Sequence, residues 1–272
     1  MSYTSSPLGK KSAYIDQYDP TLLFAIERNR KRAEIGINSQ LPFYGYDLWN
    51  AYEISWLNNR GKPMVALAEW IVPADSTHLI ESKSLKLYFN SFNQTIFSGE
   101  KAVIAAMRQD LSAAANAPVS IKLHSVESPG EFQTMSGVCI DDLDVLIDTY
   151  QPQPDFLVVD SKEQIVTETV YSHLLKSNCL VTNQPDWGSI QIEYRGFQIN
   201  HAGLLQYLVS LRNHHEFHEQ CVERIFMNIL TRCQPQELSV YARYSRRGGL
   251  DINPYRSTNS SFVVQNPRLI RQ

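Results

Sequence analysis

Cys179 and Asp186 sit close together in the segment SNCLVTNQPDWG. A thiol is a soft nucleophile, and a carboxyl group folded back beside it by a hairpin supplies a proton. That carboxylate alone opposes ionisation of the thiol, because like charges repel. A thiolate requires a cation or a helix N-terminus nearby. The competing reading is a small buried hydrophobe, the common fate of a free cysteine. A second group lies in NHHEFHEQCVERI. There His214, His218 and Cys221 recur at i, i+4 and i+7, one face of a helix, with His215 and Glu219 beside them. Such a face suits zinc, or groups that polarise a substrate. It lacks an H-E-x-x-H arrangement, and no second Cys/His cluster completes a shell. Capping and surface roles therefore compete with substrate contact by His218 and Glu219. A third group is SRRGGLD. Arg246, Arg247 and two glycines offer guanidinium donors and bare backbone N–H groups to a phosphate. The same residues make a tight hairpin turn. The fourth is the start of LIESKSLKLYFNSFNQ. Glu81 and Ser82 can cap a helix, but Lys83 opposes the positive end of the dipole unless an anion answers it.

The elements around these residues follow from periodicity. WNAYEISWLNNRGKPMVALAEWIVP reads as a hairpin around NNRGKP. Leu85, Tyr88, Phe89 and Phe92 recur at helical spacing, which predicts a helix from about Glu81. EKAVIAAMRQDLSAAAN predicts a second helix, and VSIKLHSV and the neighbourhood of TMSGVCI predict strands. Residues 150–165 read as a connector. The order then recurs: a hairpin over SNCLVTNQPDWGSIQIEYRG with its turn at NQPDWG, helices over HAGLLQYLVSLRNH and EFHEQCVERIFMNILTRC, and two strands around RRGGLD. A duplicated ββααββ unit results, each copy a sheet with two helices on one face, so the fold class is α+β. Residues 1–40 form a surface segment with some helix near Pro20–Arg32. Residues 41–150 form a first module carrying ESKSLKLY, and residues 151–272 a second carrying Cys179.

Composition narrows the function classes. The 272 residues are 43% hydrophobic and 19% charged, with a net charge of −3. That balance belongs to a globular protein and disfavours a phosphate-driven nucleic-acid groove. RNRKR at Arg28–Arg32 reads as a solvated run. The four cysteines show no CxxC spacing, so free thiols and a cytoplasmic setting are expected. The first residues show no signal-peptide pattern, and no apolar run approaches a membrane span. G-x-G-x-x-G and Walker loops are absent, so a nucleotide is not held in either of those manners.

ESKSLKLY resembles the signature of the QueF nitrile reductases. SNCLVTNQPDWGS, EFHEQCVERI and YARYSRRGGLDINPYRS resemble the other characteristic segments of the family's long, two-module form, in the expected order. The resemblance implies the tunnelling fold (T-fold), with tandem ββααββ modules and antiparallel sheets, and a homodimer. It implies NADPH-dependent, four-electron reduction of 7-cyano-7-deazaguanine to its aminomethyl product in queuosine biosynthesis. By position, Cys179 matches the nucleophile that forms a thioimide, Asp186 the proton donor and His218 a further catalytic group. Ile80, Glu81, Ser82, His218 and Glu219 match substrate-binding positions. Ser82, Lys83, Arg247 and Gly248 match NADPH-binding positions. No metal, membrane or direct nucleic-acid partner is implied; the deazapurine is the small-molecule partner. The alternatives are a zinc-dependent GTP cyclohydrolase or pterin synthase of the same fold, using the His214/His218/Cys221 face, and a non-catalytic purine-binding protein.

Overall fold

Residues 14–128 and 130–272 are described by the computed structural model, so residues 1–13 of the expected surface segment lie outside it. The elements in chain order are β1 (Ala25–Glu27), α1 (Asn29–Glu34), β2 (Tyr44–Leu57), β3 (Pro63–Pro73), β4 (His78–Ile80), α2 (Ser82–Asn90), α3 (Glu100–Ala115), β5 (Ser120–His124) and β6 (Val138–Cys139). β7 (Ile165–Ser172), β8 (Lys176–Asn178), β9 (Pro185–Phe197), α4 (His201–Ser210), α5 (His218–Cys233), β10 (Glu237–Tyr244) and β11 (Leu250–Ser257) follow. The architecture is α+β, with mainly antiparallel pairing. Two compact units interleave along the chain. One comprises the described residues up to Arg30, Tyr46–Gly130 and Arg246–Ile252. The other comprises Lys31–Gly45, Glu131–Ser245 and Asn253–Gln272.

In the first unit β3 lies between β2 and β5, antiparallel to both. The predicted hairpin is present. Asn58 Oδ1 accepts from the N–H groups of Arg60 and Lys62, and Gly61 takes φ +72°, closing the turn. Alternate β3 residues Ala66, Ala68, Trp70 and Val72 are buried, the period-two signature of a half-buried strand. Trp49 sits opposite Trp70 in the register, and their rings stack at 5.5 Å. Leu85, Tyr88, Phe89 and Phe92 join Val103, Met107 and Leu111 of α3 in one core with that strand face. Both helices therefore cover the same face of the sheet. Buried Asp110 on α3 accepts from the hydroxyls of Tyr18 (2.7 Å) and Tyr88 (2.6 Å). Burial, then the bond to Asp110, pushes the Tyr18 hydroxyl up to about 12.

In the second unit β10 pairs antiparallel with β9 and with the 255–257 stretch of β11. β9 also pairs with β7 over its length and with β8 at its start. α5 packs on β10 and β9, burying Val222, Ile225, Phe226 and Ile229.

Several expectations change. β7 is a full strand immediately after the connector, built on the β-branched and aromatic run Ile165, Val166, Thr167, Thr169, Val170, Tyr171. It is the main partner of β9, and β8 contributes a shorter stretch. The strand at TMSGVCI is only Val138–Cys139, and it pairs parallel with β7 in the second unit. Residues 20–32 give a 3-10 turn at Pro20–Leu22, then β1, then the start of α1. The RNRKR run is not solvated throughout. Arg28 is buried against Asp47 at 2.5 Å, and Arg32 is buried against Glu223 at 2.7 Å. A charge run at i, i+4 spacing can send its end residues inward where carboxylates answer them.

Candidate active site

The hairpin of β8 and β9 carries the predicted nucleophile. Ser177 faces Asp186 in the register. The ladder runs on past β8, since Cys179 N–H donates to the Gln184 carbonyl at 2.8 Å. Asn183 N–H donates back to the Cys179 carbonyl at 3.1 Å, with Asn183 in the left-handed region at φ +56°. The turn thus closes between Cys179 and Gln184. Pro185-Asp186-Trp187-Gly188 belongs to β9, so the turn lies earlier in the chain than the NQPDWG turn expected. By strand alternation Ser177, Cys179 and Asp186 share one side of the ladder. Ser177 and Asp186 are buried, and Cys179 is partly exposed.

The other edge of β8 fixes the histidines. Asn178 N–H donates to the His214 carbonyl at 2.7 Å, and Glu216 N–H donates to the Asn178 carbonyl at 3.1 Å. This clips residues 214–216 alongside β8 and starts α5 at His218. His218 Nε2 lies 3.4 Å from Asp186 Oδ2, and its ring stacks on Tyr244 at 3.9 Å. Glu219, next along α5, is buried. Lys176 Nζ donates to Asn178 Oδ1 and to the Arg212 carbonyl, both at 2.6 Å. Burial and Arg212 lower the Lys176 pKa, while Asp186 works the other way. A loop bearing a partly exposed thiol, a buried carboxylate, an imidazole and a lysine therefore converge on one hairpin. Tyr244, Lys176 and Ser177 had no role in the sequence reading. Only the alternation of Ser177 with Cys179 could have found one of them.

The zinc-binding face does not form. His214 precedes α5, in extended backbone at φ −76°, ψ 144°, so it shares no helical face with His218 and Cys221. His214 Nε2 instead lies 3.1 Å from Glu216 Oε2, and Arg224 Nε donates to both Glu216 oxygens. Burial tends to raise the Glu216 pKa, but bonds from His214 and Arg224 outweigh it and hold it low. Among the described residues no three His, Cys, Asp or Glu side chains are arranged to hold a metal. Burial pushes the Cys221 thiol up to about 12 from 9.0, so it stays neutral and unreactive. A raised folded pKa contributes stability that is complete below the unfolded value and is lost as pH rises through the folded one. Unfolding titrations between pH 9 and 12 should show a shallower decline in Cys221→Ala than in wild type. Equal slopes would remove Cys221 from the alkaline response.

The other predicted residues lie in the first unit. Glu81 is the N-cap of α2. Its Oε1 accepts from Lys83 N–H at 2.7 Å and its Oε2 from Ser84 N–H at 2.8 Å. Ser84 Oγ accepts from Phe24 N–H at 3.0 Å and donates to the Glu81 carbonyl at 2.6 Å. The cap carboxylate thus answers the positive end of the helix dipole through the backbone N–H groups of Lys83 and Ser84. Ile80 ends β4 and is buried, as is Glu81; Ser82 and Lys83 are partly exposed.

Arg247 and Leu250 exchange backbone bonds at 2.9 and 3.1 Å across Gly248 and Gly249. Both glycines have positive φ, +58° and +78°, as a type I′ turn requires. A Cβ on Gly248 would meet nothing within 4 Å, whereas one on Gly249 would lie 2.6 Å from Glu53 Cδ. Gly248→Ala and Gly249→Ala should each cost about 1–2 kcal/mol in a denaturant titration through their positive φ, because the Glu53 side chain that a Cβ at Gly249 would meet is exposed and can swing aside. A clearly larger loss at Gly249 would mean that Glu53 is held in place. An open groove is lined by Gly248, Gly249, Glu53, Lys86 and Phe89, among others. Lys86 Nζ pairs with Glu53. The groove joins the glycine turn to α2, but through Lys86; Ser82, Lys83 and Arg247 do not line it. The i, i+3 spacing of Lys83 and Lys86 was the available signal.

Comparisons with known proteins identify the family. A family pattern described as "Nitrile reductase, 7-cyano-7-deazaguanine-reductase N-term" matches residues 14–123, and one described as "QueF-like protein" matches residues 185–261. A protein of Azoarcus sp. (strain BH72) named NADPH-dependent 7-cyano-7-deazaguanine reductase is 58% identical over 271 residues, covering 98% of this chain and 96% of that protein. Proteins of the same name are 56% identical in Coxiella burnetii (strain CbuK_Q154), covering 99% and 98%, and 55% identical in Cupriavidus pinatubonensis, covering 98% of each. A crystal structure of the archaeosine synthase QueF-Like in the apo form overlays on 38% of this chain and 100% of its own, at 14% identity and TM-score 0.31, which is too distant to carry an argument. With relatives this similar along nearly its whole length, the chain belongs to the QueF nitrile reductase family.

Proposed function

We propose that this chain reduces the nitrile of 7-cyano-7-deazaguanine to an aminomethyl group at the expense of NADPH, as its relatives' names state for them. The observation that carries the reading is the pairing of Asp186 with His218, 3.4 Å apart, on the hairpin that presents Cys179. The Cys179 sulfur adds to the weakly electrophilic nitrile carbon, and Asp186 protonates the nitrile nitrogen, giving a thioimide. His218, held flat by Tyr244, fixes the orientation of Asp186, and the proton that Asp186 gives up is replaced by the one Cys179 loses. NADPH would supply two hydrides per nitrile: the first goes to the thioimide carbon, Cys179 then leaves as its thiolate to give an imine, and the second reduces that imine to the amine.

Ile80, Glu81, Ser82, His218 and Glu219 bind the substrate. Glu81 faces the adjacent N–H donors of the guanine-like ring, with its carboxylate oriented by the two cap bonds. Ser82, Lys83, Arg247 and Gly248 bind NADPH. The glycine turn fits that role: Arg247 and Gly248 are exposed, and open space stands over Gly248. The same reading takes each unit as a T-fold module, the protein as a cytoplasmic homodimer, and queuosine biosynthesis as its setting. No described helix is long and apolar enough to cross a membrane. The zinc-dependent alternative loses the helical face that motivated it. The test is the ultraviolet absorbance of NADPH during incubation with the nitrile. Two equivalents consumed per nitrile are expected, and no consumption overturns the proposal.

A further inference from the structure

The RRGG turn carries a cation that the family-matched positions leave unused. Arg246 is exposed, and its guanidinium lies 4.5 Å from the centroid of the Tyr52 ring. Among the described residues it has no carboxylate or hydrogen-bond partner, unlike Lys86, which Glu53 answers. A guanidinium held over an aromatic face still has N–H donors available at its edge. That edge has the geometry to grip a phosphate through two parallel bonds.

The platform under Arg246 is fixed at both ends. Tyr52 N–H donates to the Gly249 carbonyl at 2.9 Å, tying the platform to the turn itself. The Tyr52 hydroxyl donates to Asp251 Oδ2 at 2.6 Å. Asp251 is buried, and its Oδ1 accepts from Asn50 Nδ2 at 2.7 Å. A surface arginine ordinarily loses much rotamer entropy when it engages a ligand. Here stacking has already restricted it. The one carboxylate lining the adjoining groove, Glu53, is paired with Lys86, so it does not offset the charge of Arg246.

NADPH differs from NADH by one phosphate, on the adenosine 2′ oxygen. A cation placed at that group favours NADPH over NADH. We propose that Arg246, stacked on Tyr52 and backed by Asp251, is the residue that recognises the 2′-phosphate and so sets the preference for NADPH. This rests on the reading of the RRGG turn as part of the NADPH site.

Binding decides it without turnover. The full chain is titrated calorimetrically with adenosine 2′,5′-bisphosphate and with AMP. Wild type should bind the bisphosphate more tightly. Arg246→Ala should weaken the bisphosphate by roughly 10- to 100-fold, the range for a charged hydrogen-bonded pair, with a far smaller effect on AMP. Tyr52→Leu should lower the same ratio, and Tyr52→Phe, which keeps the ring, should lower it less. An unchanged ratio in Arg246→Ala overturns the proposal, as does an equal loss for both ligands or a wild type that does not discriminate. In turnover, the KM for NADPH should rise more than kcat falls. Failure of wild type to oxidise NADPH with the nitrile would sink the proposed reaction, whereas the two-ligand ratio tests Arg246 alone.

Discussion

Cys179→Ala is expected to abolish nitrile-dependent NADPH oxidation, lowering the rate by about three orders of magnitude or more. Addition of a thiol to a nitrile expels no leaving group. Mixing wild type with the cyano-deazaguanine, without NADPH, should therefore raise the protein's mass by the whole mass of the nitrile. Mass spectrometry should show that adduct in wild type and none in Cys179→Ala. The variant should keep its fold, because Cys179 is partly exposed and the turn is held by backbone bonds to Gln184 and Asn183. Residual turnover in Cys179→Ala, or an adduct mapped to Cys139, the exposed cysteine on β6, would displace Cys179 from the mechanism.

The largest expected stability effect lies elsewhere, at Glu223. Its carboxylate accepts from Arg32 at 2.7 and 3.0 Å and from Arg256 at 2.8 and 3.1 Å, and all three residues are buried. Phe43 lies near both guanidiniums, at 5.7 and 5.4 Å from its centroid. Glu223→Ala leaves two guanidiniums in a site from which water is excluded. Breaking such a network costs about 3–5 kcal/mol. For a chain of this size that corresponds to a fall in Tm of roughly 6–20 °C. A fall under about 2 °C would mean that water enters and solvates the arginines. Replacing all three residues by apolar ones of similar volume should be far milder than Glu223→Ala alone, since no uncompensated charge remains.

Local signals were legible and distant ones were not. The spacing of Leu85, Tyr88, Phe89 and Phe92 predicted α2 and its buried face, and the residues around NNRGKP and RRGGLD predicted both hairpins. The duplicated strand order concealed β7, although its β-branched run was readable, because a two-strand opening already accounted for the hairpin. The turn at Cys179 was placed too late because Asn183, not the Pro-Asp-Trp-Gly run, takes the left-handed position. The burial of Arg28 and Arg32 depended on Asp47 and Glu223, the second 191 positions away. Cys179, Asp186 and His218 could be named from their segments. That Tyr244 stacks on His218, and that Lys176 is drawn toward Arg212 and Asn178, required the folded chain.

The interleaving of the two units has a consequence in time. The first unit stops at Gly130 and takes up the chain again at Arg246. Tyr52 has no partner at Gly249, and Asn50 none at Asp251, until that later stretch has been made. At 5–20 residues per second, synthesis of the intervening chain occupies roughly 6–24 s. During that interval β2 and β3 can form their hairpin, but the glycine turn and its groove do not yet exist. The glycine turn of the first unit is therefore among the last things the ribosome makes possible, although most of that unit is synthesised first.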